Sequence, residues 1–159
     1  MTDVLAVFHS RSGHCRMVAG ALSRKHGWAL GEVAYLSGPQ SYFRCARDAL
    51  LLREPEIRYT GLEPSRFDVV VLVSPTWFWR LCPPMRRFIR SMGGRGASNA
   101  VAEVEHLVHR PVVAQLALLQ ADIEAGREVE PLRAFAEQVA ARAAGRARPN
   151  SAFVAAQAA

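Results

Sequence analysis

Residues 4–15 read Val-Leu-Ala-Val-Phe-His-Ser-Arg-Ser-Gly-His-Cys, an apolar run that breaks into a short polar loop. The five consecutive apolar residues Val4–Phe8 predict a strand that is covered on both faces, as in a parallel sheet. After the loop, apolar side chains recur at helical spacing from Cys15 to Leu22, and Gly27 stands where a helix C-cap belongs. This stretch therefore predicts a strand–loop–helix unit, the usual start of an α/β fold.

The same alternation continues along the chain. Further strands are predicted at 28–36, 69–73 and 112–119, and helices at 42–53, 83–92, 98–108 and 131–144. Breakers such as Pro55 and Gly61 predict that residues 54–66 are irregular. Strands that alternate with helices predict a doubly wound parallel sheet, whose ligands bind at the carboxyl ends of the strands. We assign residues 1–144 to this domain and expect the Arg/Ala-rich tail, residues 145–159, to be disordered.

Helical spacing also predicts which side chains face inward. In the helix at 42–53 the apolar positions are Phe43, Ala46, Ala49 and Leu50. In the helix at 83–92, Met85, Phe88, Ile89 and Met92 are expected to face inward, and Arg86, Arg87 and Arg90 to face solvent.

Composition excludes several classes of protein. The formal charge is +6 and nearly all of the positive charge is arginine, which either reflects a GC-biased genome or marks a surface for acidic partners. The arginines form no basic run interleaved with aromatic residues, so we expect no nucleic-acid partner. No apolar run approaches the roughly 20 residues that cross a bilayer, so we expect no membrane partner. Three widely spaced cysteines without a CxxC pair favour the reducing cytoplasm.

The loop after the first predicted strand is a candidate phosphate site. Successive backbone N–H groups and a helix N-terminus bind anions, and a glycine with two hydroxyls permits close approach. Serine and glycine are also ordinary turn residues, so this segment alone is a weak signal. The candidate phosphate-binding residues are Ser10, Arg11, Ser12, Gly13, His14 and Cys15.

The stretch Val4–Ala21 resembles the start of flavodoxins, where a strand leads into a Ser/Thr-x-Ser/Thr-Gly-x-Thr loop. Ser10, Ser12 and Gly13 match that pattern, and Cys15 stands where the last threonine is usual. A thiol is a weak hydrogen-bond donor, so Cys15 should support a phosphate less well than a hydroxyl would. The resemblance continues to about residue 139 and implies the cofactor flavin mononucleotide (FMN).

A second segment, Phe67–Met92, resembles the flavodoxin region in which the third strand ends in a Ser/Thr-Pro-x-Trp/Tyr loop before a proline-started helix. The resemblance implies that Pro75, Thr76, Trp77 and Phe78 border the isoalloxazine ring, with Trp77 lying against it. Aromatic stacking adds about 0.5–1.5 kcal/mol beyond burial. Alternatively, Trp77, Phe78 and Trp79 are core aromatics or contacts of a homodimer.

The usual fourth strand of a flavodoxin is missing from its place between the third and fourth predicted helices. Only Gly93-Gly94-Arg95-Gly96-Ala97 lies in the interval, with Gly93 and Gly94 as candidates for the far wall of the flavin site. We therefore predict a four-stranded sheet with the last strand beside the third; the alternative is a truncated or decayed gene product. Both accounts predict weaker FMN binding than in an intact relative.

The resemblance implies an FMN-binding redox protein that transfers electrons or acts as an oxidoreductase, with an unidentified donor and acceptor. The sequence contains no evident catalytic acid, base or nucleophile and no metal-ligand pattern, which favours an electron carrier. A competing hypothesis is an interaction module that keeps the fold without the cofactor. A third is a reductase that uses NAD(P)H with bound FMN.

Overall fold

A computed structural model of the chain describes residues 3–38, 41–77, 80–92, 112–144 and 152–158, in which strands and helices alternate. The strands are β1 (Val4–Phe8), β2 (Ala29–Tyr35), β3 (Ile57–Thr60), β4 (Val69–Trp77), β5 (Arg80–Leu81), β6 (Val112–Leu118) and β7 (Ala152–Ala158). The helices are α1 (His14–His26), α2 (Tyr42–Leu50), α3 (Pro83–Ser91), α4 (Gln120–Glu124) and α5 (Val129–Ala144), with a 3-10 turn at Pro64–Arg66. The helix predicted at 98–108 lies outside the described residues.

The sheet has the order β3-β2-β1-β4-β7-β6. Neighbouring strands from β2 to β6 in this order pair in parallel, which gives a five-stranded parallel core. Two short strands are antiparallel: β3 pairs with β2, and β5 pairs with the end of β4. The α/β class is therefore confirmed, whereas part of the segment 54–66 that we expected to be irregular forms an edge strand.

The position beside β4 is where the structure departs most from the sequence prediction. We expected a four-stranded sheet with the strand at 112–119 next to the third strand, but β7 lies between β4 and β6. It pairs with β4 from Val69↔Ala152 to Pro75↔Ala158. Residues 145–159 were expected to form a disordered tail, yet the segment Ala152–Ala158 carries no charged residue and supplies this strand. A buried strand needs hydrogen-bond partners on both sides, and β7 provides them for β4.

The core lies in two layers, one on each face of the sheet. Alternate residues of β1 and β4 point to opposite faces, so that Val4, Ala6 and Phe8 pack with α1 and α5, while Leu5 and Val7 pack with α3. This double burial explains why both strands read as continuous apolar runs. In α5 the predicted inward residues are all buried: Leu132, Phe135, Ala136 and Val139.

The helix α2 presents a different face from the one we predicted. Its buried residues are Cys45, Asp48 and Ala49, a narrow i, i+3, i+4 stripe. Phe43 is 79 % exposed and Leu50 is 61 % exposed, so the prediction that they face inward is wrong. A nine-residue helix buries little more than one stripe, and the helix is rotated so that this stripe includes a cysteine and an aspartate rather than the larger apolar side chains.

One arginine of α3 also departs from the prediction. Met85, Phe88 and Ile89 are buried as expected, but Met92, the C-cap just past the last helical residue, is exposed, and Arg86 is fully buried instead of facing solvent. Its Nη2 donates a hydrogen bond to the carbonyl oxygen of Leu81 at 3.1 Å. Position 86 lies in the first turn of the helix, from which a long side chain reaches the preceding β5 segment.

Candidate cofactor site

The loop between β1 and α1 turns on Gly13. This residue is the N-cap of α1 and has φ +100°, a left-handed conformation that favours glycine. Its N–H donates a hydrogen bond to the Ser10 Oγ at 3.1 Å, and its carbonyl accepts the first bond of the helix from the Met17 N–H at 2.9 Å. The N–H groups of His14, Cys15 and Arg16 have no intrahelical partner, because they precede the first helical hydrogen bond. They form the amide cluster that the sequence predicts for an anion site.

His9 anchors the start of this loop to the sheet. Its backbone N–H donates to the carbonyl oxygen of Val73 at 3.1 Å, and its Nδ1–H donates to the carbonyl oxygen of Val33 at 2.7 Å. The imidazole is buried, and burial lowers its pKa below the usual 6.5, against smaller raising effects of the Val33 bond and of Glu32. His9 is therefore a neutral side chain that ties the loop to the strands on either side of β1.

A series of polar side-chain contacts leads out of the loop. The Ser12 Oγ lies 2.8 Å from the His14 Nδ1. On the other side of the ring, the His14 Nε2 lies 3.3 Å from the Glu124 Oε1 of α4. The same carboxylate oxygen accepts a hydrogen bond from the Gln120 Nε2 at 2.6 Å. These contacts connect the loop after β1 with the helix that follows β6.

The second predicted segment lies at the same edge of the sheet. The pairing of β1 with β4 ends at Phe8↔Val73, and β4 continues for four more residues. This extension is held by β5, which pairs Thr76↔Leu81 and Trp77↔Arg80. Strands that run in parallel end at the same edge, so Pro75–Trp77 lies beside the loop that follows β1.

These two segments line one cavity of about 310 Å³. Eight of the predicted site residues border it: Ser10, Arg11, Ser12, His14, Cys15, Pro75, Thr76 and Trp77. Gly13 borders a neighbouring cavity of about 340 Å³ on the β2 side of the loop, which also holds His9, Arg16 and Glu32. Phe78, Gly93 and Gly94 lie outside the described residues.

Sequence reasoning missed three residues of the first cavity, namely Tyr42, Gln120 and Ile123. Tyr42 is the first residue of α2 and Gln120 the first of α4, so both follow the loop that leaves the carboxyl end of a strand. Their position directly after such a loop could have indicated these two residues, because all loops that follow the strands of a parallel sheet lie at one edge. The signal is weak, since it does not say which loop bends toward the site.

Tyr42 connects the two predicted segments through ring contacts. The guanidinium carbon of Arg11 lies 5.2 Å from the centroid of the Tyr42 ring. On the other side, the Tyr42 and Trp77 ring centroids are 5.0 Å apart. The result is a row in which a cation, a phenol and an indole are in contact at the rim of the cavity.

The thiol of Cys15 is a neutral group. The residue is 4 % exposed, and burial raises its pKa from 9.0 to about 12, with a smaller contribution from Cys82. A protonated, buried thiol is neither a nucleophile nor an anion, and it is a weak hydrogen-bond donor. In the part of the chain that the structure describes, no three His, Cys, Asp or Glu side chains are grouped to hold a metal ion.

Comparison with known proteins supports the fold. No family model matches the chain. The chain is similar to a flavoprotein in complex with FMN from Lactobacillus acidophilus NCFM, at 16 % identity and a TM-score of 0.56, over 99 % of this chain and 93 % of that chain. It is also similar to the apo-form of a flavoprotein from the same organism, at 13 % identity and a TM-score of 0.50, over 99 % and 92 %.

A third similar structure is a candidate flavoprotein from Bacteroides eggerthii DSM 20697, at 18 % identity and a TM-score of 0.52, over 66 % of this chain and 80 % of that chain. At these identities the likeness shows the fold alone. The flavodoxin-like α/β fold that the sequence predicts is therefore confirmed, with β7 in the position where the sequence lacked a strand.

Proposed function

We propose that this protein binds FMN and carries electrons between a reduced donor and an acceptor. The observation that supports the proposal is that the loop after β1 and the segment Pro75–Trp77 border a single cavity at the carboxyl edge of the parallel sheet. These are the two segments that the resemblance to flavodoxins assigns to the phosphate and to the isoalloxazine ring. A solved protein of the same fold is a flavoprotein in complex with FMN.

The residues of the loop fit a phosphate group. The first-turn amides of α1 and the helix dipole favour an anion, and Arg11 adds a positive charge. Space is open above Gly13, because no heavy atom lies within 4 Å of the place where a Cβ would stand. Ser10 borders the cavities on both sides of the loop, and Ser12 borders the one that Trp77 also lines. We infer that the phosphate ester binds there.

The other wall fits a flat, largely apolar ring system. Trp77 offers an aromatic face, and Pro75 and Ile123 add apolar surface. The cavity volume of about 310 Å³ is at the lower end of the roughly 300–1,000 Å³ range of small-molecule sites. A flavin bound here would supply the redox chemistry, while the chain binds and orients it and excludes water from one face.

The role of an electron carrier fits the chemistry of the surrounding side chains better than a role in side-chain catalysis. Cys15, the nucleophilic residue type in the cavity wall, remains a protonated thiol at neutral pH. The free cysteines Cys15, Cys45 and Cys82 are buried and suit a reducing compartment, so we propose a cytoplasmic location. No helix in the described ranges has the length and apolar character needed to cross a membrane.

The test is a titration of the purified protein with FMN, followed by flavin fluorescence, with riboflavin as the matched ligand that lacks the phosphate. We expect FMN to bind more tightly than riboflavin. Gly13→Ala should weaken FMN binding, since a left-handed conformation costs an L-residue about 1–2 kcal/mol and the loop will distort. Gly27→Ala is the matched control: Gly27 also has a positive φ with open space around it, but lies at the far end of α1.

A protein that stays colourless and ignores added FMN would contradict the proposal. It would favour the cofactor-free interaction module, for which Cys15 in place of a hydroxyl is the supporting observation. If FMN binds, oxidation of NAD(P)H by the loaded protein, compared with free FMN, separates a reductase from a passive carrier.

A further inference from the structure

The cavity on the β2 side of the loop is a second space, next to the proposed flavin site. It has a volume of about 340 Å³ and is bordered by residues of β2, by Arg58 of β3 and by Cys45 of α2. It shares only Ser10 and Arg11 with the cavity that Trp77 lines. Its volume lies at the lower end of the roughly 300–1,000 Å³ range of small-molecule sites, so its size fits a small molecule.

Positive charge predominates around this second cavity. Three arginines border it, namely Arg11, Arg16 and Arg58, against the single carboxylate of Glu32. Arg16 and Glu32 form an ion pair with each other. Within the described residues neither Arg11 nor Arg58 forms an ion pair, and Arg11 lies over the Tyr42 ring. Each of these two guanidinium groups can bind a planar carboxylate through paired N–H groups.

Tyr35 brings an unsatisfied hydroxyl group to the wall of the same cavity. The residue is 8 % exposed, and its Oη makes no hydrogen bond of good geometry with a described residue. Burial raises the pKa of the phenol, with a smaller effect of the Cys45 thiol beside it, so the hydroxyl keeps its proton and is a donor. A thiol sulfur is only a weak acceptor. Buried donors normally have a partner, and an oxygen of a ligand would supply one.

His9 supplies the complementary group, an acceptor. Its Nδ1–H donates to the carbonyl oxygen of Val33 and the buried ring is neutral, so the Nε2 is a lone pair. The ring meets the Tyr35 ring edge to face, with centroids 5.7 Å apart, and both residues border the cavity. A hydroxyl group of a ligand can donate to this nitrogen. The wall therefore combines two unpaired cations, one donor and one acceptor.

We propose that this cavity is a second ligand site, which binds a small dicarboxylate that carries a hydroxyl group. Arg11 and Arg58 bind the two carboxylates, Tyr35 donates to a ligand oxygen, and His9 accepts from the ligand hydroxyl. Binding changes no covalent bond. The inference goes beyond the proposed function and does not depend on it, because Arg58, Tyr35 and His9 do not border the cavity assigned to the flavin.

An NMR titration of the protein with malate tests the proposal, with succinate as the matched dicarboxylate that lacks the hydroxyl group. We expect malate to bind more tightly than succinate, by roughly 2- to 12-fold for one hydrogen bond. Inorganic phosphate is the third probe and should bind more weakly than malate. Phosphate binding as tight as that of malate, or succinate binding as tight, would overturn the proposal.

The same titration in an excess of FMN distinguishes the two cavities. Because Arg11 borders both, two bound anions repel each other, and FMN should weaken malate binding by a limited factor. Malate should still saturate its site. Strict competition, in which the apparent Kd of malate rises without limit as FMN is added, would assign malate to the flavin cavity and overturn the second site.

Tyr35→Phe separates a ligand-binding role from a structural one. Removal of an unsatisfied buried hydroxyl should leave the melting temperature unchanged or higher, whereas the Kd of malate should rise by about tenfold or more. Arg58→Gln should raise the Kd by a similar factor. Arg24→Gln is the matched control, because it removes the same charge in the last turn of α1, and it should leave malate binding unchanged.

If FMN does not bind, the proposed function fails, and the titrations of the free protein decide the second site alone. Weaker malate binding in both Tyr35→Phe and Arg58→Gln, with Arg24→Gln like the wild type, would support it. Equal malate affinity in the wild type and these variants, or no binding of malate at millimolar concentration, would overturn it.

Discussion

The ring of Tyr42 lies against the indole of Trp77, with centroids 5.0 Å apart and planes inclined by 35°. Tyr42 begins α2 and Trp77 ends β4, so the two residues are far apart in the chain but meet at the carboxyl edge of the sheet. Tyr42 is 63 % exposed, so water reaches one side of the pair. The pair places aromatic surface at the rim of the cavity where we propose that the flavin ring binds.

Replacing Trp77 with Leu should weaken binding of FMN and riboflavin alike, because both carry the same ring. The lost stacking is worth about 0.5–1.5 kcal/mol, or roughly a 2- to 12-fold increase in Kd. Trp28→Leu is the control, since Trp28 stacks on His26, at the opposite end of α1. Fluorescence titration measures both. If Trp77→Leu bound both ligands as tightly as the wild type, the indole would have no role in the ring site.

Replacing Cys15 with Ser should tighten FMN binding, since a hydroxyl is a stronger donor than a thiol. A net hydrogen bond of about 0.5–1.5 kcal/mol predicts a Kd lower by roughly 2- to 12-fold. Cys45→Ser is the matched control, because Cys45 is equally buried but lines the cavity on the β2 side of the loop. Both variants should lose some stability through burial of a hydroxyl. If neither variant bound FMN more tightly than the wild type, the assignment of Cys15 to the phosphate loop would be contradicted.

Deleting residues 151–159 should abolish cooperative folding, because β7 pairs with both β4 and β6. Without it, both strands expose unpaired backbone groups, which invite aggregation. Size-exclusion chromatography and thermal unfolding measure the effect.

Val154 offers a finer version of this test, since it pairs with Val71 at the middle of β4. Val154→Pro removes a backbone donor from a central strand and should destabilise the protein more than Val154→Ala, which keeps the N–H group. If the truncated protein melted at the wild-type temperature, β7 would not be part of the sheet.

Stability should fall as the pH falls below about 6.5, in part because of His9. Burial lowers the pKa of His9 in the folded protein, so the unfolded chain binds the proton more readily. The loss therefore begins near the unfolded pKa and continues down to the folded one, with a slope of at most about 1.4 kcal/mol per pH unit.

The variant His9→Asn keeps a donor for the carbonyl of Val33 but does not titrate. In urea unfolding, the stability advantage of the wild type over His9→Asn should narrow between about pH 7 and about pH 5. If the stability difference between the wild type and His9→Asn stayed constant across that range, His9 would have the same pKa in the folded and the unfolded protein.

Much of the site follows from local sequence. The apolar run Val4–Phe8 and the polar residues after it suffice to predict the strand, the loop and the start of α1, because each depends on neighbouring residues. The residues Pro75–Trp77 could be assigned to the same edge, since parallel strands end together. Tyr42 and Glu124 could not be found in this way, because their contacts depend on how two other helices are oriented.

The sequence by itself determined the α/β class, the parallel core and the segments that border the cavity, because hydrophobic periodicity and turn residues act over a few positions. Only the tertiary structure decided that Ala152–Ala158 forms the strand between β4 and β6, that Arg86 is buried, and that Phe43 is exposed. Strand order and helix rotation depend on segments that are far apart in the sequence. These segments must satisfy their backbone hydrogen bonds and bury apolar area at the same time. No short stretch of sequence contains that information.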